Sequence, residues 1–234
     1  MKPNRGKIVP VDHPDVRPVF EKVLEVIVAE SDRGAVLVAS AVVDDYLGKL
    51  FEGILPTTTP AELRKQLLKY PSPLSSVAAK ADIGLVARLI PFSIHRAITL
   101  LRKLRNDVAH SPHSFRLAEH LDQVRAMSEM GPGISHFINE VAIKTLMSGL
   151  VATVLDDEQR KAAEEQFFKT PKDVLDYLKD VPEAVAVLEQ KSYRFEVGVA
   201  VALICSTLIM RRDEIRAAVG DAGLIGPSNE GEAA

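Results

Sequence analysis

The stretch that most constrains this chain is "VGVAVALICSTLIM", residues 197–210, fourteen residues without a charge. It is shorter than the ~18 apolar residues that a bilayer span requires, and Arg211 and Arg212 follow at once. A segment apolar on every side that does not cross a membrane has to be covered by protein on every side. It is therefore expected as a buried core helix. A second stretch, "GAVLVASAVV" at 34–43, is also apolar on most sides and rich in small residues. Such a helix belongs in the middle of a bundle, where Ala35, Ala39 and Ser40 let neighbouring helices approach closely.

Nothing elsewhere competes with a helical reading. There are no Asn-Gly or Asp-Gly turns between alternating apolar runs, and apolar residues recur three and four apart almost throughout. The fold class expected is all-α, a bundle of about nine to ten helices without a β-sheet. Helices are expected at about 14–29, 32–54, 60–69, 75–90, 93–110, 115–129, 134–154, 156–168, 171–179, 183–190 and 192–218. Thr59-Pro60-Ala61-Glu62 reads as a capping box with proline at the first helical position, and Thr170-Pro171 with Asp173 repeats that style. The organisation expected is a basic arm over 1–13, one helical domain over 14–219 with Gly131-Pro132-Gly133 as the best internal boundary, and a Gly-rich acidic tail over 220–234 that is disordered.

Composition narrows the function classes. With 29 basic against 32 acidic residues, no global field recruits nucleic acid or an anionic membrane, so any polyanion site must be a local patch. The single cysteine, Cys205, excludes a disulfide framework within the chain and a cysteine-rich zinc site. The N-terminal residues are basic but contain no apolar h-region, so they do not form a secretory signal, and a cytoplasmic protein without a membrane partner is expected. No Gly-rich phosphate loop, nucleophile elbow or dinucleotide fingerprint is present, and no cofactor is expected. His110, His113, Glu119 and His120 lack a strong ligand spacing, so no metal is expected either.

The most pointed polar stretch is "LLRKLRNDVAHSPHSF", residues 100–115. At 100° per residue, Ile94, Ala97, Leu101, Leu104 and Val108 share one face, while Arg102, Asn106 and His110 lie toward the other. Arg105 sits beside the apolar stripe, with its guanidinium held at the rim. Pro112 ends the helix near His110 by excluding the α region for Ser111. Two readings stand. Basic residues in a last turn complement the helix dipole and snorkel along the surface. Alternatively, Arg102, Arg105, Asn106 and His110 form a phosphate- or partner-binding edge, in which arginine is a fixed cation and histidine can move protons. "ESDRG" at 30–34 adds Glu30, Asp32 and Arg33 at the start of the small-residue helix. With Asp107 these form a supporting polar cluster, and Glu30 or Asp32 is expected to pair with Arg105 or His110.

Arg105 and His110 in "RNDVAH" resemble the motif of the HEPN superfamily, which implies a dimeric, metal-independent ribonuclease in which Arg105 holds phosphate and His110 transfers a proton. Longer stretches carry a second resemblance. "ESDRGAVLVASAVVDDYLGKLF" (30–51), "SPLSSVAAKADIGLVARLI" (72–90) and "LRKLRNDVAHSPHSF" (101–115), in that order, resemble the mannitol operon repressor (MltR) family over about residues 15–215. That resemblance implies a helical transcriptional regulator or repressor, more a binding protein than an enzyme. The segment 115–129, GPG, "ISHFINEVAIKTL" is the nearest thing to a helix-turn-helix, and its second helix offers Glu140 and Lys144 but no arginine, so it could hardly read bases. The expected partners are thus another copy of the chain and a protein of the transcription machinery, with DNA contacted indirectly or weakly and RNA only under the ribonuclease reading. With no tryptophan and four tyrosines, a base-stacking platform is not expected.

Overall fold

The apolar run 197–210 lies in the middle of a 41-residue helix, α9 (Pro182–Ala222), and Val197 and every residue from Val199 to Cys205 are at most 2% exposed. The computed structural model describes residues 16–56, 58–111, 115–159 and 166–222, the side chains of 158 and 219–222 excepted. All the regular structure among them is helical. The basic arm over 1–13, His113 and the tail beyond 222 lie outside the described residues.

The other helices are arranged to cover α9. Helix α1 (Val16–Val28) lays Val23, Leu24 and Ile27 on it, and α2 (Asp32–Ile54) adds the fully buried Ala35, Val36, Ala39, Val43 and Leu47. Small residues set the spacing, as the sequence suggests. A Cβ placed on Gly198 would stand 2.7 Å from Leu24 Cδ1, so α1 and α9 touch where α9 has no side chain. Beyond the short α3 (Ala61–Leu67), α4 (Val77–Val86) and α5 (Phe92–His110) pack on the far side of α2. Lys80 of α4 is buried there against Asp44 of α2, Nζ to Oδ1 2.5 Å. Helices α6 (Leu121–Ser128) and α7 (Ile134–Gln159) close the other side of α9, and α8 (Pro171–Lys179) rests on α7 and α9. Met127 and Met130 before Gly131-Pro132-Gly133 and Ile134 and Ile138 after it belong to one continuous core.

Several element boundaries differ from expectation for identifiable reasons. The two helices expected at 183–190 and 192–218 are one, because Ser192 donates its hydroxyl to Glu189 O at 2.7 Å within the helix and so does not interrupt it. Of the separate helix expected at 156–168, residues 156–159 belong to α7, which runs through to Gln159, residues 166–168 are not helical, and 160–165 lie outside the described residues. Phe167 and Phe168 instead cluster edge-on with Tyr177 of α8. The helix expected at 75–90 is preceded by a 3-10 turn at Pro73–Ser75 and ends at Val86, where Arg88 takes a positive φ of 58° and Leu89 N turns back to Gly84 O. That expected from 115 begins as a 3-10 turn, Leu117–His120. At Thr59 the capping box fails: Pro60 is extended at ψ 140° and is itself the cap residue, without a side-chain bond. At Thr170 it holds, with Thr170 Oγ1 accepting Asp173 N and Asp173 Oδ2 accepting Thr170 N at 2.8 Å.

Close approach at Gly198 predicts that Gly198→Leu lowers stability by about 1–3 kcal/mol through overpacking. Gly149, on α7 with nothing within 4 Å of a added Cβ, should behave oppositely. Gly149→Ala is expected to raise stability by roughly 0.5–1 kcal/mol through helix propensity. Urea denaturation of both variants checks the pair.

Candidate functional site

Helix α5 turns the expected stripe inward, with Ile94, Ala97, Leu101, Leu104 and Val108 all buried and Ile98 beside them. Arg105, Asn106 and His110 are exposed and Arg102 is partly covered. The helix stops at His110, and Ser111 is extended at φ −80°, ψ 114°, as a following proline requires.

Neither acid expected to pair with Arg105 or His110 does so: Asp32 is engaged elsewhere, and Glu30 meets the neighbouring helix through its backbone carbonyl. Ser31 caps α2, accepting Gly34 N at 3.1 Å. Asp32 accepts Leu117 N at 3.0 Å through Oδ2 and forms an ion pair with Arg194 of α9 through Oδ1 at 3.3 Å. Arg194 also donates to the carbonyl of Glu30. The 30–34 segment does meet the end of α5, but through Arg33, whose Nη2 donates to Val108 O at 2.7 Å and Ser111 O at 2.9 Å. One guanidinium thus satisfies carbonyls that a helix end leaves without partners. Asp107 accepts Gln123 Nε2 at 3.1 Å and ties α5 to α6. Asp32, Arg33 and Asp107 are therefore joints between helices. At this part-buried junction, backbone groups of neighbouring segments take up Asp32 and Arg33.

With those groups occupied, Arg105 bonds only weakly to its neighbour, Nη1 to Asn106 Oδ1 at 3.4 Å. This is also the partner Asn106 has in place of His110. Arg102, Arg105 and Asn106 line a cleft of about 410 Å³ against Leu37, Ser40, Ala41 and Asp44 of α2 and Ser76, Val77 and Ala78 at the start of α4. His110 is not among its lining residues, being a full turn beyond Asn106. The structure thus brings three of the four expected edge residues together and leaves the proton-transfer candidate outside. From sequence Ser40 stood out only as a small packing residue and the start of α4 not at all, since only the α2–α4–α5 packing brings them to Arg105.

Two further recesses lie between α6, α7, α8 and α9. One, about 770 Å³, is polar, with Arg125, Asn139, Tyr193 and Glu196 on its walls. Burial raises the Glu196 carboxyl above the usual carboxylate range, opposed by the Asn139 amide, which donates to Oε1 at 3.2 Å, and by the charge of Arg125. A signal was present in the sequence: Glu196 is a lone acid adjoining the apolar run that starts at Val197. The other is an apolar groove of about 850 Å³ lined by Ile143, Leu146, Met147, Leu175, Val185 and Leu188 among others. Cys205 is fully buried and its thiol is pushed up by that burial, so it is no nucleophile. Among the described residues no group of three or more histidine, cysteine, aspartate or glutamate side chains gathers as metal ligands would.

No protein-family model, no curated protein and no solved structure matches this chain.

Two outcomes separate structural from free groups. Arg33→Ala should lower stability by about 1–3 kcal/mol, the effect of stranding part-buried acceptors, whereas His110→Ala should change it by less than ~0.5 kcal/mol; thermal unfolding distinguishes them. Glu196 gives a pH signature. Its folded pKa is raised, so its contribution to stability is present in acid and is lost as pH rises through that pKa. Glu196→Gln, which keeps an acceptor for Asn139, should be more stable than wild type near neutral pH. The difference should shrink toward zero in acid, as denaturant titrations across that range would record.

Proposed function

We propose that this protein is a transcriptional regulator of the repressor type that works through a protein partner, or through a composite surface of its own oligomer, and that it acts in the cytoplasm. The single observation supporting partner-mediated action is the outer face of α7 and α8. The segment Ile134–Asp157 is apolar enough to pass for a membrane span by length and composition, as does Pro182–Ala218. Yet only 11% of its most apolar stretch is buried, against 72% for α9. Ile143 and Leu175, which line the apolar groove, are exposed, as are Phe137 and Tyr177 on the same two helices. An exposed apolar groove of this kind is characteristic of interaction sites. A protein partner suits the face better than lipid, because α7 carries the exposed Glu140–Lys144 pair, Nζ to Oε1 2.6 Å, in its first half.

The link to transcription rests on the likeness of residues 30–51, 72–90 and 101–115 to the mannitol operon repressor family. Direct reading of DNA has little support. The helix after Gly131-Pro132-Gly133 spends Lys144 on Glu140 and points Ile134, Ile138, Ala142 and Leu146 into the interior. The ribonuclease reading draws on Arg105 in the α2–α4–α5 cleft, but His110 does not line that cleft.

Transcript profiling of a deletion strain tests the proposal. Loss of the gene should derepress a small set of transcripts, restored by wild type and by His110→Ala but not by Ile143→Asp. Restoration by Ile143→Asp would remove the α7–α8 face from the function. Cleavage of a structured RNA by purified wild type in chelator, abolished in His110→Ala, would replace regulation by nuclease activity.

A further inference from the structure

We infer that the cleft between α2, α4 and α5 is an effector site for a small phosphorylated molecule, with Arg102 and Arg105 holding the phosphate. The inference does not depend on the α7–α8 face, and either reading can fail alone.

Charge is the first argument. Arg102 and Arg105 are three apart on one helix, and among the described residues neither meets a carboxylate. Asp44 is the one acid lining the cleft, and the Lys80 ammonium, buried at 2.5 Å from it, already offsets its charge. The walls are left with two permanent cations that repel each other. A dianion relieves that repulsion, and two arginines offer the forked donors that phosphate oxygens accept.

The opposite wall supplies neutral donors. Ser76 caps α4, but its hydroxyl oxygen is occupied by Ala79 N at 3.1 Å. The amides of Val77 and Ala78, the first two of a ten-residue helix, have no intrahelical acceptor, and both residues line the cleft. They add to the cations the partial positive charge of a helix start. Ser40 contributes a third, independent feature. Its Oγ is closed off from solvent and lacks any hydrogen-bond partner, an uncommon state for a hydroxyl on a helix, which usually bonds to the carbonyl four residues back.

Size and lining set the ligand class. About 410 Å³ lies in the range of small-molecule sites, ~300–1,000 Å³. The lining has no aromatic ring on which a base could stack, and the chain's net charge of −3 opposes an extended polyanion. Leu37, Ala41 and Val77 give the non-phosphate part of the ligand an apolar seat. A phosphomonoester or pyrophosphate of modest size fits these features; a nucleic acid backbone does not.

Calorimetric titration of the full chain with pyrophosphate and with inorganic phosphate tests the site. Saturable binding is expected, weakened about tenfold to a hundredfold by Arg105→Ala and lost in the Arg102→Ala, Arg105→Ala double variant. Ala78→Glu provides a second test that misfolding cannot mimic. A carboxylate in the first turn of α4 favours the helix, so unfolding temperature should hold or rise, while anion binding should fall with it. No saturable binding of either anion at millimolar concentration would overturn the inference, as would binding unchanged in the double variant. Tighter binding of a single-stranded RNA than of pyrophosphate, lost in the same variants, would also overturn it and assign the cleft to nucleic acid.

Discussion

The middle of α9 has no face to give to water, and most of the architecture follows from that. A helix buried all round requires neighbours on every side, and α1, α2, α6 and α7 supply them. Close packing of four helices around a fifth requires small residues where axes converge, which is the role of Gly198 against Leu24 and of Ala35 and Ala39 in α2. With the interior filled by aliphatic side chains, polar chemistry is confined to the outer layer. There it collects on the outer edge of α5 and in the recess between α6, α7 and α9.

The same constraint explains why the acidic and basic residues at 30–34 join helices. The turn from α1 into α2 brings three backbone problems together: the start of α2, the amide of Leu117 and the carbonyl end of α5. Adjacent residues of opposite charge solve them in opposite directions. Asp32 accepts from an amide and pairs with Arg194, while Arg33 donates to carbonyls. Hydrogen bonds to charged groups at part-buried positions are stronger than neutral ones, and leaving their partners unmade is more costly still. Arg105 and His110, one turn away on the solvent side, are released from structural duty by this arrangement.

How much of this was legible in the sequence depended on range. The inward stripe of α5 follows from 3.6-residue periodicity alone, and the stop at His110 from Pro112; both involve neighbours in sequence. Thr170 and Thr59 show the limit even locally, since the same Thr-Pro pattern forms a box at one and not at the other. What differs is whether proline enters the helix, and at Pro60 the turn that brings Thr59 N to Pro56 O at 2.9 Å keeps it out. The helices expected at 183–190 and 192–218 were divided at Lys191, yet Ser192 satisfies its hydroxyl inside one continuous helix. The partners of Asp32, 85 residues from Leu117 in the chain and farther still from Arg194, had no local signal at all. The α2–α4–α5 cleft is of the same kind: its arginines were visible in "LRKLRN", and its other walls were not.

The contrast between Arg105 and His110 also bears on what this edge can do. Arg102 and Arg105 project from the last two-thirds of a 19-residue helix anchored by Leu101, Leu104 and Val108, each at most 1% exposed. The backbone that carries them is already ordered, so binding an anion requires fixing two side chains but no stretch of chain. His110 is the last helical residue, exposed, with Ser111 already extended beyond it. General acid-base catalysis asks the reverse: the proton carrier has to be held within hydrogen-bond reach of the atom it serves, about 2.6–3.2 Å. Within one copy of the chain the arginines on the anchored stretch of the helix are therefore the ones suited to binding, and the group suited to proton transfer stands at the helix's exposed end.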